Sequence, residues 1–489
     1  MSFFVRLYRT IRTAAATVSA ARRTTHLSRV VFFLGACAAA VGLGPDGCRS
    51  NAAAESDEGG KSIAAAESGA ADRLGPTNHR RRIAELAAGA PAQSSWDRAV
   101  ERLLRLHAVF DYDAQGRVTL IDLSADRTSA ADADLDSLRA FPKLRRLRLA
   151  GAGITNAALP EILRLDELEE LWLRSTQIND DGAAQLAELP RLASLNIDRA
   201  VHLTDRAAEH FQKFPSLIRL QLVDNDLSDA ALEPISRLSR LVLLDVRRSP
   251  RITREGLKRV GRLANLRALR ISGDAADDQI AETIAGLKKL ESLTIEDAPI
   301  TPAGLRRLLA LPLVELNLAR CFSLDDDAAA AIGQGAALRR ISLRDLPIGP
   351  EGLKHLVRCR RLESLKLNGV MADDDSLVAL AKLPLTTLEV RNTVLAAAGV
   401  EAAARIASLE TLALDDCRLT SAAIAPLAQA KNLKSLSLAE NQEIGDEAVA
   451  TLSAIKGLKS LRLRQTGLSR EGLRRLAAAL PDCVITASE

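Results

Sequence analysis

Aromatic side chains are nearly missing from this chain: they make up 3% of its 489 residues, with two tryptophans, Trp96 and Trp172, and two tyrosines. That scarcity speaks against nucleic acid as a ligand, since such binders combine a basic body with aromatic stacking groups. The body is not basic either. The net charge of +4 includes six arginines and no acid within residues 1–36, which leaves the remainder at about −2. Cysteine is sparse, six in all with no C-x-x-C pair, so neither zinc nor a disulfide framework has support. A Gly-rich phosphate loop, a G-x-S-x-G elbow and an H-E-x-x-H helix are all lacking, and the six histidines are scattered. Catalysis needs convergent groups, so no enzyme, cofactor or metal site is expected.

Leucine, by contrast, recurs on a fixed period. The phrase Leu-x-x-Leu-x-Leu, then a polar residue, an aliphatic and an acidic turn, repeats along the chain. Its central residues are Leu147, Leu171, Leu195, Leu220, Leu244, Leu269, Leu293, Leu316, Ile341, Leu365, Leu388, Leu412, Leu436 and Leu461, spaced 23–25 apart. Self-similarity at this period means a stacked solenoid. In one coil, Leu244 and Val246 share a face of a short strand while Asp245 points away. Leu257, Val260 and Leu263 then recur every three residues, as one stripe of a short helix. Thr253 is placed to cap that helix, and Glu255 suits its positive end. Four residues after each aliphatic anchor stands a small residue, among them Gly182, Gly256, Gly304, Gly352, Gly399 and Gly472. Only Ile280 breaks this column, in a coil whose anchor is Ala276, and that coil is expected to be irregular. The acidic runs at Asp277-Asp278, Asp325–Asp327 and Asp373–Asp375 mark helix starts. Capping and dipole roles account for them, with a calcium ridge as the other reading.

This phrase resembles the leucine-rich repeat, in a bacterial variant related to the cysteine-containing and ribonuclease-inhibitor-like classes. The likeness covers about residues 118–485. It implies an α/β leucine-rich-repeat solenoid: a curved horseshoe with a parallel sheet on its concave side and short helices on its convex side. It also implies that Thr176, Asn225, Ser249, Cys321, Thr393, Cys417, Asn441 and Thr466 form a polar ladder, bonding backbone groups between coils. Coils with Ala152, Ala298, Leu346 or Val370 at that position lack the bond and are expected to be looser. Cys321 and Cys417 read as buried thiols, because four coils separate them by roughly 19 Å and a disulfide needs about 7 Å.

The ends divide the chain further. Residues 1–48 read as a signal or anchor segment: a basic leader precedes the fifteen apolar residues Val30–Gly44, short for a membrane span but suited to a secretory signal. Leu34-Gly35-Ala36-Cys37 resembles a lipobox, which makes Cys37 a lipidation candidate. Residues 49–78, poor in large apolar side chains, read as a disordered linker with the reach of a tether. Residues 79–116 read as an N-terminal cap, with a helix over 94–108 and a hairpin turn at Asp113–Gly116, the basic His79–Arg82 merely flanking it. Residues 117–485 form the array, closed by a last strand at Ile485. The expected location is extracytoplasmic or membrane-anchored through the N-terminus, with a cytoplasmic chain as the alternative.

Residues facing away from the leucine core form the concave surface, which such folds commonly use for binding. Its first half gathers Arg146, Arg148, Trp172, Arg174, Arg199, Arg219, Arg247 and Arg270. Two readings of Trp172 stand: an interface hot spot flanked by arginines, or a lone amphipathic residue covered by the stems of Arg148 and Arg174. The later strands, with Ser342, Thr387, Ala413 and Ser437, read as bland. The sequence thus points to a protein-binding scaffold with a protein partner, the alternative being a structural or envelope-organising spacer that self-associates.

Overall fold

The computed structural model describes residues 78–124 and 130–487. The signal or anchor segment, Cys37 and the linker up to residue 77 lie outside them. Two helices open the described chain: α1 (Asn78–Ala87) and α2 (Ser95–Arg105). The first was not foreseen. Its arginines hide a short apolar stripe, Ile83 and Leu86, both buried, and Arg82 reaches the buried Asp97 of α2 at 2.7 Å. Ser94 caps α2 by accepting from the Asp97 N–H at 3.0 Å, and Asp97 accepts in return from the Ser94 N–H at 3.3 Å. Trp96 packs between His79 and Phe141, with ring centroids 4.7 and 5.9 Å away.

A hairpin follows, β1 (Val109–Tyr112) running antiparallel to β2 (Val118–Leu123). Its turn is where the sequence places it: Gly116 takes φ +69°, and the Asp113 carboxylate accepts from the backbone of Gln115 and Arg117. From β2 onward every strand pairs in parallel with the next, through β3 (Arg146–Ala150), β4 (Glu170–Arg174) and β5 (Ser194–Asp198) to a last strand at Val484–Thr486, in one 17-stranded sheet. The periodic residues are the register. Ile121 pairs with Leu147, Leu147 with Leu171, and so on until Leu461 meets Ile485. One face of each strand therefore drives its aliphatics into a continuous core, while alternate residues face outward. Among the described residues no helix is long and apolar enough to cross a membrane.

Each coil leaves its strand through a left-handed residue. Gly151, Ser175, Arg199, Asp224, Arg248, Gly273, Asp297, Arg320, Asp345, Gly369, Asn392, Asp416, Glu440 and Gln465 all have φ between +50° and +113°. The polar ladder follows, and is mixed in quality. The Asn441 carbonyl accepts from the N–H groups of Cys417 and Leu419, both at 3.0 Å, and its amide donates to Leu414. Asn225 works in the same way toward Ala200 and Ile197. Thr393 donates to Ala372 one coil back, but Thr466 bonds within its own coil, and the Thr176 and Ser249 hydroxyls are buried without a partner. Of the coils that lack a polar ladder residue, the one with Ala152 leaves it exposed. Those with Ala298, Leu346 and Val370 bury that side chain and keep full strands, Ser292–Glu296, Arg340–Arg344 and Ser364–Asn368.

At the helix starts the acidic residues divide their work. Asp277, Asp325 and Asp373 cap their own helices. The residue after the cap reaches the next coil instead. Asp229 accepts from the N–H and hydroxyl of Thr253 at 2.7 and 2.6 Å, as Asp180 does from Thr204 and Asp278 from Thr301. Asp326 and Asp374 accept from the backbone of Gly349 and Ala396. This ladder explains the small column. A Cβ on Gly256 would lie 2.2 Å from Asp229 Oδ1, and one on Gly304 at 2.2 Å from Asp278. Ile280 escapes the constraint because Arg254, not an aspartate, precedes it by one coil, and the Arg254 guanidinium pairs with Asp277. Its coil is regular, with a strand at Ala268–Ser272 and a helix at Asp278–Ile284. Both Ile280 and Ala276 are buried, the larger side chain making up for the smaller anchor.

Candidate functional site

The outward column at the middle of the strands runs Asp122, Arg148, Trp172, Asn196 in strict register. The Arg148 guanidinium lies over the Trp172 ring at 4.0 Å from its centroid. Of the two arginines expected to cover the tryptophan, Arg148 does so, and several polar atoms at and beside the stack make no hydrogen bond. Trp172 Nε1, Arg148 Nε, Asn196 Oδ1 and Arg199 Nε are all buried with no hydrogen bond. Three are donors and one is an acceptor, on β3, β4, β5 and the turn after it. Each such orphan costs about 1–3 kcal/mol, and elsewhere among the described residues such atoms are not gathered on adjacent strands.

Ion pairs around this patch are long. Arg148 stands 3.5 Å from Asp122, Arg174 stands 3.7 Å from Asp198, and Arg199 is 3.6 Å from the other Asp198 oxygen. Burial raises the Asp198 pKa above the ordinary carboxylate value, although Arg199 and Arg174 oppose it. Arg146, at the edge of the patch, is paired tightly with Asp111 at 2.6 Å. Arg219 forms no ion pair among the described residues.

Further along, the arginines are committed. Arg247 donates from Nε and Nη2 to the two oxygens of Asp245 at 3.0 and 2.8 Å, and from Nη1 across a whole coil to Glu296 at 2.6 Å. Asp245 is 0% exposed although it points to the outward face, because Arg247 and Arg270 cover it. Burial works against the Arg247 charge, but Asp245 and Glu296 outweigh it and hold its pKa above the usual arginine value. Arg320 adds contacts to Glu296 and Asp297.

The last third of the face is not bland. Lys366 pairs with Glu389 at 3.1 Å, Arg391 bridges Glu389 and Asp415, and the buried Ser437 donates to Asp415 at 2.5 Å. Small polar residues fill one column of this surface, but charged ones stand in the columns beside it.

The cysteines take no part in this surface. Cys321, Cys359 and Cys417 are buried and free, and burial pushes their thiols up to about 11, about 11 and about 12. Cys321 and Cys417 donate to carbonyls of the preceding coil, Ile295 and Val390. Among the described residues no three His, Cys, Asp or Glu side chains converge as a metal site would require.

Residues 429–453 match the family model described as Leucine Rich repeat. No curated protein matches the sequence. Solved structures of similar fold include an internalin of Listeria monocytogenes, at 22% identity over 75% of this chain and 91% of that one, with a TM-score of 0.39. A leucine-rich-repeat protein of Leptospira interrogans gives 19% identity over 72% and 92%, with a TM-score of 0.37. The Rad7–Elc1 complex of yeast gives 17% identity over 73% and 76%, with a TM-score of 0.39. The matched residues contain one turn of the strand, ladder and helix that the array repeats, and the fold is that of a leucine-rich-repeat solenoid.

Proposed function

We propose that this array is a non-enzymatic scaffold that binds another protein on the outward face of its sheet, centred on Trp172. The observation that carries this reading is the gathering, at and beside the Arg148–Trp172 stack, of four buried polar atoms that make no hydrogen bond. A partner that moves the Arg148 cover and supplies acceptors would satisfy groups that the free protein leaves costly. Trp172 offers a rigid ring, and Arg148, Arg174, Arg199 and Arg219 offer forks suited to carboxylates. The proposal includes export or anchoring through residues 1–48, with Cys37 as the lipidation candidate and residues 49–78 as a tether holding the array outside the cytoplasm.

Affinity capture from the native host tests this, with wild type, Trp172→Ala and Ser364→Ala as baits. A partner recovered by wild type and Ser364→Ala and lost by Trp172→Ala is the expected result. Equal recovery by all three baits would move the site off the tryptophan. A spacer that self-associates is the second reading, favoured by open strand edges at both ends of the sheet, where Val109 is 59% and Val484 69% exposed. Sedimentation of the purified chain separates the two, since a spacer grows with concentration and a scaffold stays monomeric.

A further inference from the structure

Where each helix runs back into the next strand, basic residues along the edge of the array pair with acids one coil away. Lys143 meets Glu167 at 2.6 Å, Arg145 meets Glu169 at 2.6 Å, Arg267 meets Glu291 at 2.8 Å and Lys434 meets Glu410 at 2.7 Å. Arg339 pairs with Glu363 in the same way. The segment Val357–Leu362 departs from this habit. Arg358, Arg360 and Arg361 are exposed, as is Lys382 at the same edge of the next coil. Among the described residues none of these four forms an ion pair or a side-chain hydrogen bond. The register explains it: one coil before and after Arg361 stand Ala337 and Pro384, where Lys143 has Glu167.

These cations surround an open cleft of about 540 Å³, lined by Val357, Arg358, Arg360, Lys382, Leu383 and Pro384. Half of that lining is cationic and half apolar, with no acid. Like charges crowded without a counter-charge repel one another, and an anionic ligand relieves that repulsion. We propose that the cleft docks an extended acidic segment of a protein, with carboxylates on Arg358, Arg360 and Lys382 and an apolar side chain against Val357 and Pro384. The apolar half offers nothing to a free phosphate. The unpaired charge is also confined to two adjacent coils, since Gln334 and Ala336 stand on one side and Arg405, at the same edge on the other, is paired with Glu401, a footprint narrower than a membrane surface would engage. This edge is separate from the face around Trp172, and the proposal stands or falls without it.

The test titrates the full chain with a fluorescein-labelled peptide of Glu-Glu-Leu triplets, read by polarisation. Binding is expected to weaken roughly tenfold in Arg358→Gln/Arg360→Gln/Lys382→Gln, since exposed charges contribute modestly one by one and add up together. Raising the salt should weaken it as well, the Debye length being about 10 Å at 0.1 M and about 3 Å at 1 M. A charge-matched triple elsewhere, Arg206→Gln/Lys288→Gln/Arg306→Gln, should bind as wild type does. Unchanged affinity in the cleft variant, or an equal loss in the charge-matched triple, overturns the assignment. Stronger binding of inorganic pyrophosphate, or of phosphatidylglycerol vesicles, that disappears in the cleft variant overturns the peptide in favour of that anion.

Discussion

Around Arg247 the guanidinium nitrogens lie 2.6–3.0 Å from two carboxylates, whereas around Trp172 the arginines stand 3.5–3.7 Å from theirs. Both groups occupy outward positions of one sheet, built from the same repeat. The difference lies in where the acids fall. Asp245 and Glu296 bracket Arg247 from its own strand and from two strands on, so three of its donors are used at once. Asp198 must serve Arg174 and Arg199 together, and Asp122 reaches Arg148 only loosely. Identical residue types thus make a closed network in one place and an unfinished one in another. A closed network holds coils together; an unfinished one has hydrogen-bonding capacity left for something outside the chain.

The largest test breaks the closed network. Arg247→Met should destabilise the coils around it by about 3 kcal/mol or more, because the fully buried Asp245 and the buried Glu296 lose their main counter-charge. Hydrogen exchange across residues 243–296 would show it as lost protection. If protection there survives intact, the network is ornamental and the contrast with the Trp172 patch collapses.

Next, Trp172→Ala should leave thermal unfolding nearly unchanged yet remove about 2 kcal/mol or more of partner binding, the scale of a hot spot. A large stability loss with unaltered affinity would make the tryptophan a packing residue. Ser364→Ala, on a later strand of the same sheet, is the comparison.

Both regions rest on the aspartate ladder at the helix starts, which a third experiment isolates. Gly256→Leu should cost about 1–3 kcal/mol by overpacking. Gly256→Ala should cost less but not nothing, because its new Cβ would lie 2.2 Å from Asp229 Oδ1. Added to Asp229→Ala, the same Gly256→Ala change should do little further harm. Strict additivity in that double-mutant cycle would show that the glycine and the acid are not in conflict.

The smallest effect is a matter of pH. Burial makes the folded state hold the Asp198 proton more firmly than the unfolded chain does. Its charge therefore costs stability above the folded pKa, and that cost fades as pH falls through the folded value. Asp198→Asn should gain less than about 1 kcal/mol at neutral pH, after allowance for solvent screening, and nothing in acid. Urea unfolding at both pH values reads the difference, and an equal gain at each would trace it to something other than ionisation.

Much of this molecule was legible beforehand. The leucine period alone gave every strand pairing from Ile121 to Ile485, because register in a parallel stack follows directly from repeat length. The glycine column carried a signal that could also have been read: each of its glycines follows an aspartate or asparagine by 25–27 residues. The α1 helix was obscured because only Ile83 and Leu86 betray an apolar stripe among arginines. The contrast on the sheet face was out of reach of any pattern. It depends on side-chain paths such as that of Arg247, which passes over an intervening strand to an acid 49 residues away.

The left-handed residue that ends each strand has a consequence for how the array can come apart. Left-handed backbone disfavours most side chains by about 1–2 kcal/mol, and only Gly151, Gly273 and Gly369 are free of that burden. Arg199, Arg248, Arg320 and Glu440 take the same bend against their own preference, because neighbouring backbone fixes it: the N–H of Arg199 donates to Val223 and that of Arg320 to Arg344. A coil parted from its successor would lose that donor–acceptor link and relax toward an ordinary extended path. Melting of such an array is thus expected to travel inward from a free end, one turn at a time, rather than open in the middle.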